Sequence, residues 1–155
     1  MKSLLSIMIF CASLNVSAAN MAVQGLLGFQ SGATNIGVDV DFQKKRSHSF
    51  GAFFLLATEK DNVRDQFWSL GGDFKVFFGP DGWKLYLAPG LAVSSFDLAN
   101  GDSEVTFGTI MKVGSLLAIA PEMFVGLEYM YYVNWFSDQA PGAFFLTNAV
   151  FRMNF

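Results

Sequence analysis

The last eleven residues, FLTNAVFRMNF at positions 145–155, divide by alternation into two different faces. One face is mainly apolar and carries Phe145, Thr147, Ala149, Phe151, Met153 and Phe155, and the other carries Leu146, Asn148, Val150, Arg152 and Asn154. Because successive side chains of a β-strand point to opposite sides, this period of two predicts a strand. One apolar face, one more polar face and a terminal aromatic residue are typical of a wall between lipid and a polar interior.

The same alternation recurs along the chain and predicts eight strands. They lie near residues 21–30, 34–43, 48–58, 66–78, 83–96, 104–117, 122–136 and 143–155. Most are long enough to cross a membrane at a tilt, which takes about 9–11 residues. Four consecutive apolar residues at 53–56 leave the two faces of the third strand undecided. The sequence therefore predicts an all-β fold, a transmembrane antiparallel up-and-down β-barrel of eight strands.

The N-terminus has the three parts of a secretory signal peptide. Lys2 is followed by an apolar stretch at 4–14 and by Val16-Ser17-Ala18, a small-x-small cleavage pattern. We expect residues 1–18 to be removed, leaving a barrel of residues 19–155, although a cut after Ala19 fits nearly as well. An uncleaved anchor helix is disfavoured because a spanning helix needs roughly 20 apolar residues. The single cysteine, Cys11, lies in this segment, so the mature chain is predicted to lack thiols and disulfides.

Composition limits the classes of partner and fold. The formal net charge of −3 becomes −4 once Lys2 is removed, which argues against a nucleic-acid partner. A hydrophobic content of 52% with 18 phenylalanines would also suit a soluble β-sandwich or a lipocalin-like barrel. That alternative is disfavoured because the more polar face carries many small and charged residues.

An even number of strands places both ends of the barrel chain on one side of the membrane. The connections after the second, fourth and sixth strands then face the periplasm, and the longer polar loops face outward. Aromatic side chains near the two boundaries are predicted to form the girdles of a membrane barrel, namely Trp68, Trp83, Tyr129, Tyr131, Trp135 and Phe155.

The inward-facing charges are predicted to form a lumenal network of Asp39, Asp41, Asp73, Lys75, Lys84, Lys112, Glu128 and Arg152. The reversal at 118–121 should bring Lys112 near Glu128, and the turn at 79–82 should bring Lys84 near Asp73 and Lys75. Since eight strands enclose a space just wide enough for side chains, four acids and four bases should pair and plug it. An ion or proton path is the functional alternative. Small or neutral residues toward the outside predict a shallow pocket lined by Ser69, Gly71, Gly90, Ala92, Ser94 and Tyr132.

The C-terminal strand resembles that of bacterial outer-membrane β-barrels, in which the assembly machinery reads a terminal aromatic residue. Phe151, Met153 and Phe155 occupy the matching positions here. The chain as a whole resembles small eight-stranded barrels such as OmpX and the membrane domain of OmpA. This resemblance implies an outer-membrane location, with lipids, lipopolysaccharide and the barrel-assembly machinery as partners. The basic run at 44–46 could contact phospholipid headgroups, and the acidic outer loops could contact lipopolysaccharide through divalent cations.

Some eight-stranded barrels are lipid A acyltransferases or deacylases, whose histidine works with a serine or an acid. The one histidine, His48, is flanked by Ser47 and Ser49 but falls at a periplasmic turn, far from lipid A. No metal cluster and no cofactor site are predicted. We expect a non-enzymatic barrel with a structural or surface-interaction role. The alternatives are a narrow pore or hydrophobic-solute transporter of the OmpW kind, a lipid A-modifying enzyme, and a homo-oligomer packed through Gly72, Ser115 and Ala149.

Overall fold

The structure, a computed structural model, describes residues 20–30, 33–45, 47–59, 66–97, 102–136 and 142–155. The strands are β1 (Asn20–Gln30), β2 (Ala33–Lys45), β3 (His48–Glu59), β4 (Gln66–Phe78), β5 (Trp83–Asp97), β6 (Ser103–Ala120), β7 (Met123–Asn134) and β8 (Ala143–Asn154). The prediction of eight strands is confirmed, with β6 continuing beyond its predicted end to Ala120. The predictions about the signal peptide and Cys11 lie outside the described residues.

The eight strands form one closed barrel in which every neighbouring pair is antiparallel. Consecutive strands pair in chain order, and β1 pairs with β8 from Ala22↔Asn154 to Gly28↔Asn148. The backbone of Phe155 extends this closing seam by donating a 2.7 Å hydrogen bond to the carbonyl oxygen of Met21. The predicted fold class is therefore confirmed. Among the described residues, no helix has the length and hydrophobicity needed to cross a bilayer.

The two ends of the barrel differ in their connections. At the end called here the turn end, short turns join β2 to β3, β4 to β5 and β6 to β7, β1 begins and β8 ends. Gly79 occupies one of these turns with a positive φ of 101°, a conformation that favours glycine. The opposite end, the loop end, carries the other four connections, three of which are longer than the turns. Residues 31–32, 60–65, 98–101 and 137–141 of these connections lie outside the described ranges, as does Arg46 of the basic run.

Side chains alternate between the lumen and the outer surface of the barrel. The third strand, undecided by sequence, follows the same rule: Phe53 and Leu55 are buried in the lumen, whereas Phe54 and Leu56 face outward. Phe53 lies between Asp39 of β2 and Gly71 of β4 in the strand register, so its inward direction is shared with its neighbours. The barrel wall thus separates a polar and aromatic interior from an apolar exterior.

Candidate functional site in the barrel lumen

Six charged side chains from four strands meet in the half of the lumen nearer the turn end. Lys75 Nζ donates to carboxylate oxygens of Asp39 at 2.7 Å, Asp41 at 2.6 Å and Asp73 at 3.0 Å. Lys112 Nζ donates to Asp39 at 2.8 Å and to Asp73 at 2.6 Å, and Arg152 donates to Asp41. We call these six residues the ionic cluster, and all of them are buried.

The ionic cluster is neutral, with three carboxylates against two ammonium groups and one guanidinium. Oxygens of the three aspartates lie within 4.8 Å of one another, a spacing that can hold a metal ion and that the sequence did not predict. The ammonium of Lys75 contacts all three carboxylates itself, and Lys112 also lies 3.8 Å from the ring centroid of Phe53. Each base is thereby compensated in a low-dielectric space where a lone charge would be costly.

Strand register and one glycine explain how three carboxylates converge. Asp41, Gly51 and Asp73 are direct cross-strand neighbours on β2, β3 and β4. A Cβ on Gly51 would lie only 2.5 Å from Asp41 Oδ1 and 2.9 Å from Asp73 Oδ1. The missing side chain therefore leaves the room in which the two carboxylates approach Lys75.

Glu128 is buried beside the ionic cluster but is held by neutral groups. Tyr86 Oη donates to Glu128 Oε2 at 2.7 Å, Gln24 Nε2 donates to the same oxygen at 3.4 Å, and Asn148 Nδ2 donates to Oε1 at 3.2 Å. In the part of the chain that the structure describes, no salt bridge reaches this carboxylate. The expected partner, Lys112, is instead bound to Asp39 and Asp73, which draw its ammonium across the lumen.

Lys84 was also expected near Asp73, and that prediction is wrong. Its Nζ lies 3.9 Å from Asp81 in the turn and 5.9 Å from the ring centroid of Phe124, at the mouth of the turn end. The register is the reason, because Asp73 lies opposite Gly90, well along β5 from Lys84. Among the described residues, the buried charges therefore number four acids and three bases, not four of each.

The half of the lumen nearer the loop end is filled by aromatic rings. The ring centroid of Phe67 lies 4.8 Å from Phe96 and 4.9 Å from Phe144, and Tyr132 stacks 4.9 Å from Phe144. We call these four residues the aromatic cluster. Their tilted, edge-on and offset arrangements are the favourable geometries for aromatic side chains.

The shallow pocket predicted at this level is therefore absent from the positions assigned to it, because rings from neighbouring strands occupy the space over the small residues. The ring of Phe53 lies where a Cβ on Gly71 would be, and Tyr132 approaches Gly108 in the same way. Ser94 Oγ donates to Ser69 Oγ at 2.9 Å, and Tyr132 Oη donates to the carbonyl oxygen of Ala92 at 3.2 Å. Small residues pair with large ones around the interior of a narrow barrel. The sequence did indicate this filling, because alternation places Phe67, Phe96 and Phe144 on the inner face.

A vestibule of about 530 Å³ opens at the turn end instead. Its walls include Gln43, Lys84, Phe124 and Asn154. Beneath it, Arg152 Nε donates to Asn154 Oδ1 at 3.2 Å. The vestibule thus leads toward the ionic cluster.

The outer surface carries large apolar side chains and all six residues of the predicted girdle. Trp83 and Phe155 lie at the turn end, and Trp68 and Trp135 lie toward the loop end. Trp83 Nε1 donates to Ser115 Oγ at 2.9 Å. Tyr131 lies in the loop-side half of β7, whereas Tyr129 is the seventh of its twelve residues and lies nearer the middle of the wall.

Phe151, Met153 and Phe155, the predicted assembly signal, lie on the outer side of β8 and at its end. Gly72, Ser115 and Ala149 were predicted to form one patch for homo-oligomerisation, and that prediction is wrong. Gly72 and Ala149 belong to β4 and β8, which are on opposite sides of an eight-stranded ring. Each instead lines its own shallow outer groove.

His48 faces outward at the turn end. Its Nδ1 is 3.2 Å from Ser47 Oγ, and its ring centroid is 5.9 Å from that of Phe74. The ionic and aromatic clusters lie on the other side of the wall. The structure therefore does not bring the only histidine to the lumenal groups.

Solved structures with the same arrangement identify the fold. The N-terminal β-barrel domain of Pseudomonas aeruginosa OprF superposes with a TM-score of 0.73 at 10% identity, covering 88% of this chain and 98% of that domain. The fold is that of the small eight-stranded outer-membrane β-barrels. Neisserial surface protein A has a TM-score of 0.66 at 15% identity, with 88% and 96% coverage. The Yersinia pestis outer-membrane protein Ail, in a phospholipid bilayer nanodisc, has a TM-score of 0.57 at 11% identity, with 88% and 99% coverage.

No protein-family model and no curated protein sequence matches this chain. At these identities the outer-membrane barrels are similar in fold alone. Any function must therefore be argued from the residues of this chain.

Proposed function

We propose that this chain is an integral outer-membrane barrel with a closed lumen and a non-enzymatic, structural or surface-interaction role. The observation that carries the proposal is the filling of the lumen by two successive layers. The ionic cluster joins β2, β4, β6 and β8 across the interior, and the aromatic cluster joins β4, β5, β7 and β8 nearer the loop end. An ion crossing the barrel would have to displace both layers.

The outer surface supports the membrane part of this proposal. Large apolar side chains such as Leu70, Leu91 and Leu127 are about half exposed, which suits lipid and not water. Trp83 and Trp135 near opposite ends suit the two lipid–water boundaries. The similar barrel Ail adopts its fold in a phospholipid bilayer.

We propose the same partners that the resemblance implies. Outer-membrane phospholipid and lipopolysaccharide would surround the wall, and the outward aromatic side chains of Phe151 and Phe155 would be read by the assembly machinery. The acidic side chains at the loop end, among them Asp102 and Glu104, would meet lipopolysaccharide phosphates through divalent cations. Homo-oligomerisation would use the groove beside Gly72 or the groove beside Ala149, one at a time.

The position of His48 supports a non-enzymatic role. A lipid A hydrolase or acyltransferase needs its base beside the reacting lipid. His48 lies on the turn end, which we assign to the periplasmic side. We expect His48→Ala to leave the mass spectrum of the cell's lipid A unchanged. Loss of any lipid A modification in that variant would favour the lipid A-modifying enzyme instead.

A narrow pore is the second candidate, and the turn-end vestibule favours it. The vestibule leads toward Arg152, so a movement of the ionic cluster would extend it into the lumen. In a transporter of the OmpW kind, the hydrophobic solute would have to leave the lumen laterally, through the barrel wall.

Single-channel conductance in a planar bilayer separates the two candidates. The refolded protein is first shown to be folded by its heat-modifiable migration on a gel, and a general porin in the same membrane is the positive control. We expect a silent bilayer with the folded protein. Steady, ion-selective openings would overturn the closed-lumen proposal and favour the pore.

A further inference from the structure

Four neighbouring strands place Asn35, Gly28, Asn148 and Glu128 at one level of the inner wall. The register pairs Asn35 of β2 with Gly28 of β1, Gly28 with Asn148 of β8, and Asn148 with Glu128 of β7. Gly28 has no side chain, and the carboxamides of both asparagines lie over it. We call these four residues the Glu128 pocket.

Several polar atoms of the Glu128 pocket have no partner. Both amide atoms of Asn35 and Oδ1 of Asn148 are buried without a hydrogen bond, and the two residues are at most 1% exposed. Nearly all buried polar groups in native proteins are paired with protein, water or an ion. Unpaired carboxamide oxygens beside a buried carboxylate therefore indicate a bound group that accepts oxygen ligands.

The charge of the lumen specifies that group. The ionic cluster is neutral, so Glu128 adds one negative charge that no base in the described lumen compensates within salt-bridge distance. Its three hydrogen-bond donors, Tyr86, Gln24 and Asn148, are all neutral side chains and bring no positive charge to the carboxylate. One monovalent cation would restore neutrality, whereas a divalent cation would leave an excess positive charge.

We propose that the Glu128 pocket binds one small monovalent cation, such as sodium. The ligands are a carboxylate oxygen of Glu128 and the carboxamide oxygens of Asn148 and Asn35, with water completing the shell and accepting from Asn35 Nδ2. Hard cations prefer such oxygen ligands. This site goes beyond the closed-lumen role, since it gives the plug a ligand of its own and stabilises it without conduction.

The test is the sodium dependence of urea unfolding for the full mature protein in lipid vesicles, followed by tryptophan fluorescence. Sodium chloride is exchanged for N-methylglucamine chloride at constant ionic strength, so that general screening does not change. We expect the unfolding midpoint to rise and saturate with sodium. At a sodium concentration about tenfold above the dissociation constant, linkage gives a shift of roughly 0.5–1 M urea.

Glu128→Gln keeps the size of the side chain and removes the charge, so it should abolish the sodium dependence while remaining folded. Glu122→Gln is the matched control, because Glu122 is exposed at the turn end, in the wall of the vestibule, and is not one of the four residues of the Glu128 pocket. Asn35→Ala preserves every lumenal charge and should weaken the dependence. Sodium-23 relaxation of the unaltered protein reports binding directly and needs no variant.

Three results would overturn the site. A wild-type midpoint that does not respond to sodium, with no sodium-23 broadening, would reject it. An equal sodium response in wild type and Glu128→Gln would place the ion elsewhere. A midpoint that responds to pH but not to sodium would show that a proton neutralises Glu128. Conductance is a separate readout, so openings in the bilayer would reject the closed lumen without deciding this site.

Discussion

The two halves of the lumen are closed by different physics. Nearer the turn end, Lys75 contacts three carboxylates and the fit depends on charge pairing. Nearer the loop end, Phe67 packs against two further rings and the fit depends on shape. Both halves use small residues to make room, Gly51 for carboxylates and Gly108 for the ring of Tyr132. The comparison shows that one narrow barrel can be filled by ion pairs or by packed aromatic rings. The loss of unfolding free energy on removing a side chain is expected to differ between the two.

The largest expected effect is that of Lys75→Met, which removes the base and leaves three buried carboxylates crowded together. We expect the free energy of unfolding to fall by about 3–5 kcal/mol, because an uncompensated buried charge is strongly destabilising. The measurement is urea unfolding in lipid vesicles. Lys84→Met is the matched control, with an expected loss of at most about 1 kcal/mol because Lys84 is partly exposed and its ion pair is 3.9 Å long. Equal losses in the two variants would contradict the special position of Lys75.

The loop-side half is tested by Phe67→Ala, which leaves a cavity between Phe96 and Phe144. We expect a loss of about 3 kcal/mol in the free energy of unfolding, with the bilayer conductance still silent because the ionic cluster remains. The control is Phe145→Ala on the outer face, where lipid replaces the ring and the stacking with Tyr129 is lost, at a cost of about 1 kcal/mol. Ion channels opened by Phe67→Ala alone would show that the ionic cluster does not close the barrel.

A finer test adds one methyl group to the ionic cluster. Gly51→Ala should cost about 1–3 kcal/mol in unfolding free energy, because Lys75 and Arg152 hold the carboxylates that would have to move. Gly72→Ala, on the adjacent strand and facing outward, has its closest contact at 3.4 Å and should be nearly neutral. If both substitutions proved neutral, the carboxylates would be more mobile than the cluster requires.

The smallest expected effect lies on the outer wall. Ser115→Ala removes the acceptor of the Trp83 Nε1 hydrogen bond and should lower the unfolding free energy by about 0.5–1 kcal/mol. The Trp83 emission should shift when its indole nitrogen loses this partner, and Ser103→Ala provides a control far from the tryptophan. A loss of unfolding free energy as large as that of Phe67→Ala would mean that contacts on the outer wall stabilise the barrel as much as the side chains that fill the lumen.

The period of two was enough to place Asp39, Asp73, Lys112 and Arg152 on the inner face, because alternation is a local property of an extended chain. The same alternation could not predict which of these charged side chains would pair with each other. Lys112 binds Asp39 of β2, 73 residues away in the chain, and Arg152 of β8 binds Asp41 of β2, 111 residues away. Hairpin neighbours, which favoured Lys112 with Glu128, are only one class of contact in a closed ring.

The sequence by itself determined the eight strands, the faces of most of them and seven of the eight predicted inward charges, since these follow from short-range alternation and turn signals. Only the tertiary structure decided that Lys84 stays at the mouth, that Phe67, Phe96, Tyr132 and Phe144 meet, and that Glu128 is left with neutral partners. The physical reason is barrel closure. Joining β1 to β8 fixes the stagger of all strands and brings residues from opposite walls within one side-chain length, a constraint that no local pattern contains.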